Sequence, residues 1–233
     1  MMNEAFLPFL ALQSMLDPGT QQKIRTAIVM LIAFVLSVAV HEFGHAFLAD
    51  RLGDDTPRRQ GRVTLNPIAH ADPIGTLAMP LFGALFGGFV IGWGKPVMIN
   101  PMAFTRKLRM KTAHLLVALA GPMMNVVLAF FITGLLGVLL ATDVIKPGQE
   151  ITSGIAQVIY LNWLLFFFNL IPCPPLDGGA ILAGLLPDRS QGFMDFLQQY
   201  GFIILIGLFV SGALSVVLRP ALWMTQLSLQ LVL

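Results

Sequence analysis

Long runs of apolar residues, each about the length of a bilayer crossing, dominate the sequence. A spanning helix needs roughly 20 mostly apolar residues. Runs of that order occupy residues 24–51, 112–141, 151–171 and 200–218. An interrupted apolar tail at residues 220–233 predicts one further short helix. The pattern therefore predicts an all-α polytopic membrane protein with about five transmembrane helices.

Two other apolar stretches differ from plain spanning helices. Residues 5–16 are shorter than a bilayer crossing, and no basic residue precedes them, so an interfacial position is favoured over a signal peptide. Residues 73–93 contain several glycines and Pro80, a composition that disfavours one straight helix.

Two basic clusters predict the topology. By the positive-inside rule both clusters face the cytoplasm. Residues 73–93 lie between the clusters and would enter and leave on the same side, as a re-entrant loop or hairpin. A plain spanning helix is the alternative for that stretch. The first cluster comprises Arg51, Arg58, Arg59 and Arg62, and the second comprises Arg106, Lys107, Arg109 and Lys111.

Composition supports a membrane protein and excludes several other classes. The 233 residues are 56% hydrophobic and only 11% charged, whereas soluble domains are about 25% charged. A soluble enzyme, a disordered chain and a nucleic-acid binder are therefore disfavoured, and a net charge of +2 predicts no nucleic-acid partner. We interpret the chain as one membrane-embedded domain, residues 1–233, with its core at residues 24–219 in the lipid bilayer.

The clearest chemical signal is a His-Glu-Phe-Gly-His motif at residues 41–45, inside the first apolar run. Helical residues four apart share a face, so His41 and His45 can both offer a ring nitrogen to one zinc ion. Glu42 can take a proton from the bound water. An ionisable group at membrane depth is costly, which favours a functional role. The alternative is a helix that ends at Val40 and leaves these residues on the surface.

A zinc site needs at least a third protein ligand and an open position for water. Asp177 stands out because prolines and glycines around it stop the third helix and permit a tight turn. A helix-capping or turn role is the alternative for Asp177. The candidates for the third ligand are Cys173, Asp177, His70, His114, Asp72 and Asp143.

The two motifs agree in their predicted depth. His45 precedes Arg51 by six residues, which places it roughly 9 Å below the cytoplasmic end at 1.5 Å per residue. His41 lies roughly 15 Å below that end. The third run starts outside near residue 151, so Asp177 also falls in the cytoplasmic half. A topology chosen from charges alone thus brings both motifs to one leaflet.

Asn125 ends a third motif, Gly-Pro-Met-Met-Asn at residues 121–125. The glycine and the proline are expected to loosen the second helix. The amide of Asn125 can bind a substrate backbone or an oxyanion. It can equally form a hydrogen bond to a neighbouring helix. The residues alone leave both roles open.

Together, these motifs resemble those of the intramembrane zinc metalloproteases of the site-2 protease type. The third signature, Asn-x-x-Pro-x-x-x-Leu-Asp-Gly, occupies residues 169–178. Residues 61–75 and 92–101 are similar to the corresponding stretches of the small bacterial members. The resemblance covers about residues 40–187.

This resemblance implies one Zn²⁺ per chain, held by His41, His45 and Asp177, with Glu42 as the catalytic base. It implies hydrolysis of a peptide bond in or near a transmembrane segment of a membrane protein substrate, as in regulated intramembrane proteolysis. It further implies a bacterial plasma membrane, with the active site towards the cytoplasm.

The resemblance also implies supporting residues. Asn125 and Asn169 would support the site or position the substrate. Residues 92–101 would form an edge or loop that clamps the substrate as an extended strand. The core of that clamp would be Gly92, Trp93, Gly94, Lys95 and Pro96.

The chain departs from larger relatives, many of which carry a PDZ domain between the second and third motifs. The loop at residues 143–150 is too short for a domain, so substrate selection by such a module is excluded. Two rival functions are a metal-ion transporter and a catalytically idle binding partner. The first predicts acidic and histidine residues stacked along a path, and the second predicts loss of a ligand or of the base. The sequence instead has one compact cluster of such residues, and it retains the candidate ligands and the base. Both rival functions are therefore disfavoured.

Overall fold

The computed structural model describes residues 17–79, 92–105 and 107–233, with the side chains of Pro18 and Leu77 left out. These residues form helices and no β-strand. The predicted interfacial stretch at residues 5–16 lies outside the described residues, as does most of the predicted re-entrant stretch at residues 73–93. The helices of five or more residues with α-type hydrogen bonding are α1 (Pro18–Arg51), α2 (Met110–Ala141), α3 (Glu150–Asn169), α4 (Asp177–Leu185), α5 (Gln191–Val210), α6 (Ala213–Val217) and α7 (Arg219–Gln230).

Four stretches of the described chain are long and apolar enough to cross a membrane, judged by length and composition. The predicted all-α polytopic fold is confirmed, whereas the predicted count of about five spanning helices is not. The four stretches are Gly19–Arg51, Met110–Ala141, Glu150–Asn169 and Asp188–Val210.

Helix α1 carries the His-Glu-Phe-Gly-His motif without interruption. It begins after Asp17, whose carboxylate accepts the Thr20 backbone N–H at 3.1 Å, as is typical of a helix N-cap. It continues to Arg51, so the alternative in which the helix ends at Val40 is wrong. The chain turns away at Gly53, whose φ of +106° favours glycine.

Helix α2 passes through Gly121 and Pro122 as one continuous helix. The helix is not broken at this motif, although Pro122 lacks the N–H of a regular helix residue, and the expected loosening stays a prediction. The glycine provides close packing. A Cβ atom on Gly121 would overlap the His45 ring and lie 2.8 Å from Nε2 of His41. On the facing helix, a Cβ on Gly44 would lie 2.6 Å from the Ala120 carbonyl oxygen. Small residues on both helices thus let α1 and α2 approach at the motif.

The fourth spanning helix has different bounds from those predicted. Helix α5 runs from Gln191 to Val210, whereas the apolar run predicted residues 200–218. Polar residues such as Asp195 occupy its first turns and hide its start from a hydropathy pattern. Its end is set by Gly212, which adopts a left-handed φ of +75°. The predicted C-terminal short helix is confirmed as α7.

Helix α2 lies at the centre and packs against α1, α3 and α4. Its C-terminal half joins α3 and α7 in a cluster that includes Leu136, Ile159 and Trp163, all 2% exposed or less. Trp163 also donates its indole N–H to the Ser228 hydroxyl at 3.1 Å, which ties α3 to α7. The N-terminal end of α2 packs against the C-terminal end of α1 through Val117.

The segment that follows α1 folds back over the C-terminal end of that helix. Asp54 is fully buried, and its carboxylate accepts the backbone N–H groups of Thr56 at 3.0 Å and Asn100 at 2.6 Å. The Thr105 N–H donates to the Leu52 carbonyl at 2.7 Å. Residues 92–100 are therefore anchored beside α1, outside any helix, and lead into a short turn, Pro101–Ala103. We refer to them as the extended segment, because the alternate N–H groups of Trp93, Lys95 and Val97 all bond to the protein behind them.

Candidate metal centre

Three potential metal ligands meet where α1 faces the start of α4. The Nε2 atoms of His41 and His45 are 3.1 Å apart. Oδ2 of Asp177 lies 3.1 Å from Nε2 of His41 and 3.3 Å from Nε2 of His45. Among the described residues, these three form the group of histidine, cysteine and acidic side chains that could hold a metal ion. Both histidines are buried, at 7% exposure each.

The outer nitrogens of both imidazoles are held by protein oxygen atoms. Nδ1 of His45 lies 2.8 Å from the Val117 carbonyl oxygen, and Nδ1 of His41 lies 2.8 Å from Oδ1 of Asn125. A carbonyl oxygen only accepts, so each Nδ1 carries the proton and donates it. In the neutral rings, each Nε2 then presents a lone pair towards the other ring and towards Asp177.

This donor set fits a cation. Two unprotonated Nε2 atoms and one carboxylate oxygen converge, and none of the three atoms supplies a proton to the others. Oδ2 of Asp177 is buried and has no hydrogen-bond donor, an arrangement that is costly unless a positive charge compensates it. Two imidazoles and one carboxylate form a ligand set typical of catalytic zinc, and backbone or side-chain oxygens behind the histidines are the usual supporting groups.

A tight turn delivers Asp177 to the histidines. The chain leaves α3 at Asn169 and re-enters a helix at Asp177, the first residue of α4. A Cβ on Gly178 would overlap the Ile171 carbonyl, and one on Gly179 would lie 2.7 Å from the Pro174 nitrogen. These glycines allow the turn to fold back on itself. Asp177 is the acidic residue of the first turn of α4, and its Oδ2 has no hydrogen-bond donor; the capping or turn role stays the alternative for this residue.

Glu42 follows His41 on the same helix and faces the extended segment. It is half-buried, and its Oε2 accepts the backbone N–H of Val97 at 3.2 Å. A Cβ on Gly94 would lie 3.4 Å from Cγ of Glu42 and 2.6 Å from Cγ1 of Val38. The backbone of residues 94–97 therefore passes directly over the acidic side chain.

Trp93 and Lys95, two alternate residues of the extended segment, bond through their backbone N–H groups to the protein behind the segment. The N–H of Trp93 donates to the Gly75 carbonyl at 3.0 Å, and the N–H of Lys95 donates to the His70 carbonyl at 2.9 Å. The Trp93 carbonyl accepts the Thr76 hydroxyl at 2.8 Å. In an extended strand, neighbouring residues direct their N–H and C=O groups to opposite edges. This alternation would leave the backbone groups of Gly94 and Met98 for the opposite edge, together with the carbonyl of Pro96, which has no N–H.

The other predicted residues lie in different settings. Asn169 donates to the Leu165 carbonyl within α3 at 3.0 Å. The Cys173 thiol is buried and donates to the Gly201 carbonyl at 3.3 Å. His70 is buried, and its Nε2 donates to the Thr64 carbonyl at 2.9 Å. The cysteine and this histidine are thus bonded elsewhere, outside the group of potential metal ligands.

Sequence reasoning missed two polar side chains behind the histidines. Asn162 on α3 and Ser37 on α1 are at most 1% exposed and belong to the same hydrogen-bonded group as Asn125. The sequence did contain a signal for Asn162, because an asparagine inside the apolar run of α3 needs a hydrogen-bond partner in a membrane.

Comparison with known proteins agrees with the geometry. The chain matches Peptidase family M50 over residues 29–158 and 144–208. It is 41% identical over 201 residues to “Putative zinc metalloprotease YwhC” of Bacillus subtilis (strain 168), covering 83% of this chain and 85% of that protein.

A second relative is “Putative zinc metalloprotease Rip2” of Mycolicibacterium smegmatis (strain ATCC 700084 / mc(2)155), which is 34% identical over 190 residues. That alignment covers 81% of this chain and 69% of the relative. No solved structure matches the chain. The resemblance drawn from the motifs is confirmed, and the chain belongs to Peptidase family M50, the family of the site-2 proteases.

Proposed function

We propose that this protein is an intramembrane zinc metalloprotease that hydrolyses a peptide bond in or near a transmembrane segment of another membrane protein. Family membership supports a metalloprotease. The observation that carries the finer proposal is the convergence of His41, His45 and Asp177. Two of these ligands lie inside α1, a helix that is apolar and long enough to span a bilayer.

His41, His45 and Asp177 would hold one Zn²⁺ per chain. Bound zinc would act as a Lewis acid that activates water and polarises a carbonyl group. The relatives named above carry zinc in their names, which supports this metal over others. The two histidines reach it as neutral imidazoles, because Asn125 and Val117 hold their outer N–H groups.

Glu42 would act as the general base and then as the general acid. Its carboxylate takes a proton from the attacking water and later delivers that proton to the leaving amine. The hydrogen bond from the Val97 N–H to Oε2 holds the carboxylate against the extended segment. The base would therefore lie next to the segment that would hold the peptide.

The extended segment would hold the substrate as an added strand. Its inner edge is already occupied through Trp93 and Lys95. On the outer edge, Gly94 and Met98 offer N–H and C=O groups, whereas Pro96 offers only a carbonyl. Addition of an extended peptide to a free edge is a common mode of peptide recognition. A transmembrane helix must unwind to bind this way, because its own hydrogen bonds otherwise occupy the backbone.

Asn125 would support the metal site and not the oxyanion. Its oxygen faces His41, and its Nδ2 donates to the Ser37 carbonyl at 3.2 Å and to Oδ1 of Asn162 at 3.1 Å. Both ends of the amide are therefore engaged by the protein. Asn169 lies at the end of α3 and would position the substrate near the turn that delivers Asp177.

The protein would lie in the bacterial plasma membrane with the catalytic site in the cytoplasmic half. The motif at residues 41–45 lies in the last third of α1. Arg51, Arg58 and Arg59 follow directly after it, and the positive-inside rule places them in the cytoplasm. Water would reach Glu42 from that side.

The direct test is cleavage in proteoliposomes. A single-span protein with tags at both ends and a glycine- and asparagine-rich transmembrane segment is a suitable probe, because its helix unwinds easily. Wild-type protein with zinc should produce two fragments, with the cut located by mass spectrometry within or beside the segment. Glu42→Gln should produce none. Fragments cut only in the soluble tags, or equal cleavage by Glu42→Gln, would refute the proposal.

A further inference from the structure

Three helices each contribute one buried polar side chain to a hydrogen-bonded group behind His41. Ser37 belongs to α1, Asn125 to α2 and Asn162 to α3. Ser37 is 1% exposed, and both asparagines are 0% exposed. Polar side chains in a bilayer-spanning region are costly and usually functional. The group therefore calls for an explanation beyond helix packing.

The hydrogen bonds of this group form a chain that starts at α3 and ends at the metal ligand. Nδ2 of Asn162 donates to the Ser37 hydroxyl at 3.1 Å and to the Val158 carbonyl at 2.9 Å. Oδ1 of Asn162 accepts Nδ2 of Asn125 at 3.1 Å. Oδ1 of Asn125 then lies 2.8 Å from Nδ1 of His41.

Each bond of the chain determines the direction of the next. The Val158 carbonyl only accepts, so the nitrogen of the Asn162 amide must face it and the oxygen must face Asn125. Asn125 must then present its nitrogen to Asn162 and to the Ser37 carbonyl, which lies 3.2 Å from that nitrogen, and its oxygen to His41. An amide oxygen only accepts, so His41 carries its proton on Nδ1. All four amide N–H groups and both amide oxygens are used.

We propose that Asn162, together with Ser37, is a positioning residue that holds the amide orientation of Asn125 and thereby the tautomer of His41. With the proton held on Nδ1, the Nε2 lone pair of His41 stays available to the metal. This inference rests on the proposed function, because it assumes that His41 is a zinc ligand. It adds to the metal site a residue, Asn162, that is two hydrogen bonds away from the ligand His41.

A purely structural role for Asn162 predicts different behaviour. Hydrogen bonds between helices stabilise membrane proteins, so loss of such a bond would lower thermal stability and leave metal binding unchanged. A positioning role predicts that metal affinity and metal spectroscopy change. The two roles are therefore separable by measurements on the metal alone.

The experiment measures metal binding by the detergent-purified full chain without any substrate. Zn²⁺ affinity is obtained by competition with a chelator, and Co²⁺ is used for its visible absorption bands. Supporting residues in direct contact with a ligand typically alter metal affinity about 10- to 100-fold. For Asn162→Leu, one bond further away, we expect Zn²⁺ affinity to fall about three- to tenfold, with shifted Co²⁺ bands.

Two further variants give this test its specificity. Asn162→Asp is nearly isosteric, and as a neutral acid it can accept from Asn125 and donate to Val158. It should restore affinity to within about twofold of wild type, since the hydrogen bond to Asn125 is rebuilt. The matched control is Thr133→Val on α2, whose hydroxyl is buried and bonds only to the Ala129 carbonyl at 2.8 Å. It should leave affinity and the Co²⁺ bands unchanged.

The outcomes separate this inference from the proposed function. Wild-type affinity and unchanged Co²⁺ bands in Asn162→Leu would overturn the positioning role, whatever the protease activity. A wild-type chain that binds no zinc would overturn both proposals. A chain that binds zinc but cleaves no transmembrane segment would refute only the proposed function.

If Asn162→Leu does not fold, Ser37→Ala provides the test. This variant removes the hydroxyl that Asn162 contacts and keeps the Ser37 carbonyl that Asn125 uses. A measurable loss of Zn²⁺ affinity with a shift of the Co²⁺ bands would support the proposal. Unchanged affinity and bands would overturn it.

Discussion

Nδ1 of His41 on α1 lies 2.8 Å from Oδ1 of Asn125 on α2, although 84 positions separate the two residues. The bond links the motif at residues 41–45 to the motif at residues 121–125. Nε2 of the same His41 faces Asp177, which belongs to the third motif. The bond between His41 and Asn125 explains why a polar amide is fully buried in an otherwise apolar helix. It also makes the orientation of a metal ligand depend on a neighbouring helix.

Replacement of Asn125 by leucine should weaken zinc binding. The variant removes the acceptor that holds the Nδ1 proton of His41, so the ring is free to rotate or change tautomer. Supporting contacts of this kind are worth about 10- to 100-fold in metal affinity. Chelator competition on the purified protein measures the change. An affinity within twofold of wild type would contradict the supporting role.

Replacement of Glu42 by glutamine should abolish cleavage and leave the zinc content unchanged. The amide cannot take a proton from water, but it retains the size of the carboxylate and an oxygen that can accept the Val97 N–H. Activity should fall to less than a tenth of wild type in the proteoliposome assay. The control is the zinc content of the same preparation, measured by atomic emission. A variant that retains more than a tenth of the activity would refute the assignment of the base.

Zinc content should depend on two distant segments of the chain. We expect about one Zn²⁺ per wild-type chain, and less in both His41→Ala and Asp177→Ala, because each variant removes one of three converging ligands. Asp143→Ala is the control, since Asp143 lies in the loop after α2, away from that group of ligands. Equal zinc in wild type and Asp177→Ala would show that the third ligand is another residue.

Gly121→Ala should disturb the metal site more than any other small change on α2. The added methyl group would overlap the His45 ring and press on Nε2 of His41. Overpacking of this kind typically costs about 1–3 kcal/mol, and here the strained groups are the candidate ligands. Zinc content and thermal stability should both fall.

Gly134→Ala is the matched control for that variant. Gly134 lies on the same helix, and a Cβ there would meet nothing within 4 Å. Alanine has the higher helix propensity, so the control should match or exceed wild-type stability. If the two variants behave alike, the close approach at Gly121 plays no part in the metal site.

Cys173 should react slowly with alkylating reagents in the native protein. Burial raises the pKa of the Cys173 thiol, and only the thiolate reacts readily. The reactive fraction is therefore small near neutral pH and grows as the pH rises towards the raised pKa. Because this is the only cysteine, incorporation of N-ethylmaleimide measures it directly. Equal rates in native and SDS-unfolded protein would contradict a buried thiol.

Local patterns were sufficient to predict most of the helices. The lengths of the apolar runs predicted α1, α2 and α3 to within a few residues. They misplaced α5, because its first turns are polar and a single glycine, Gly212, sets its end. A hydropathy pattern indicates which part of a helix lies in an apolar environment. It does not indicate the residue at which the hydrogen bonds of the helix begin.

The pairing of His41 with His45 could be predicted from the sequence alone, since residues four apart lie on one face of any helix. The sequence left six candidates for the third ligand and two roles for Asn125, and it did not single out Asn162. Those choices depend on contacts between residues far apart in the chain. Only the packing of α1 against α2, α3 and the turn before α4 brings Asp177 to the histidines and orients the amides behind them.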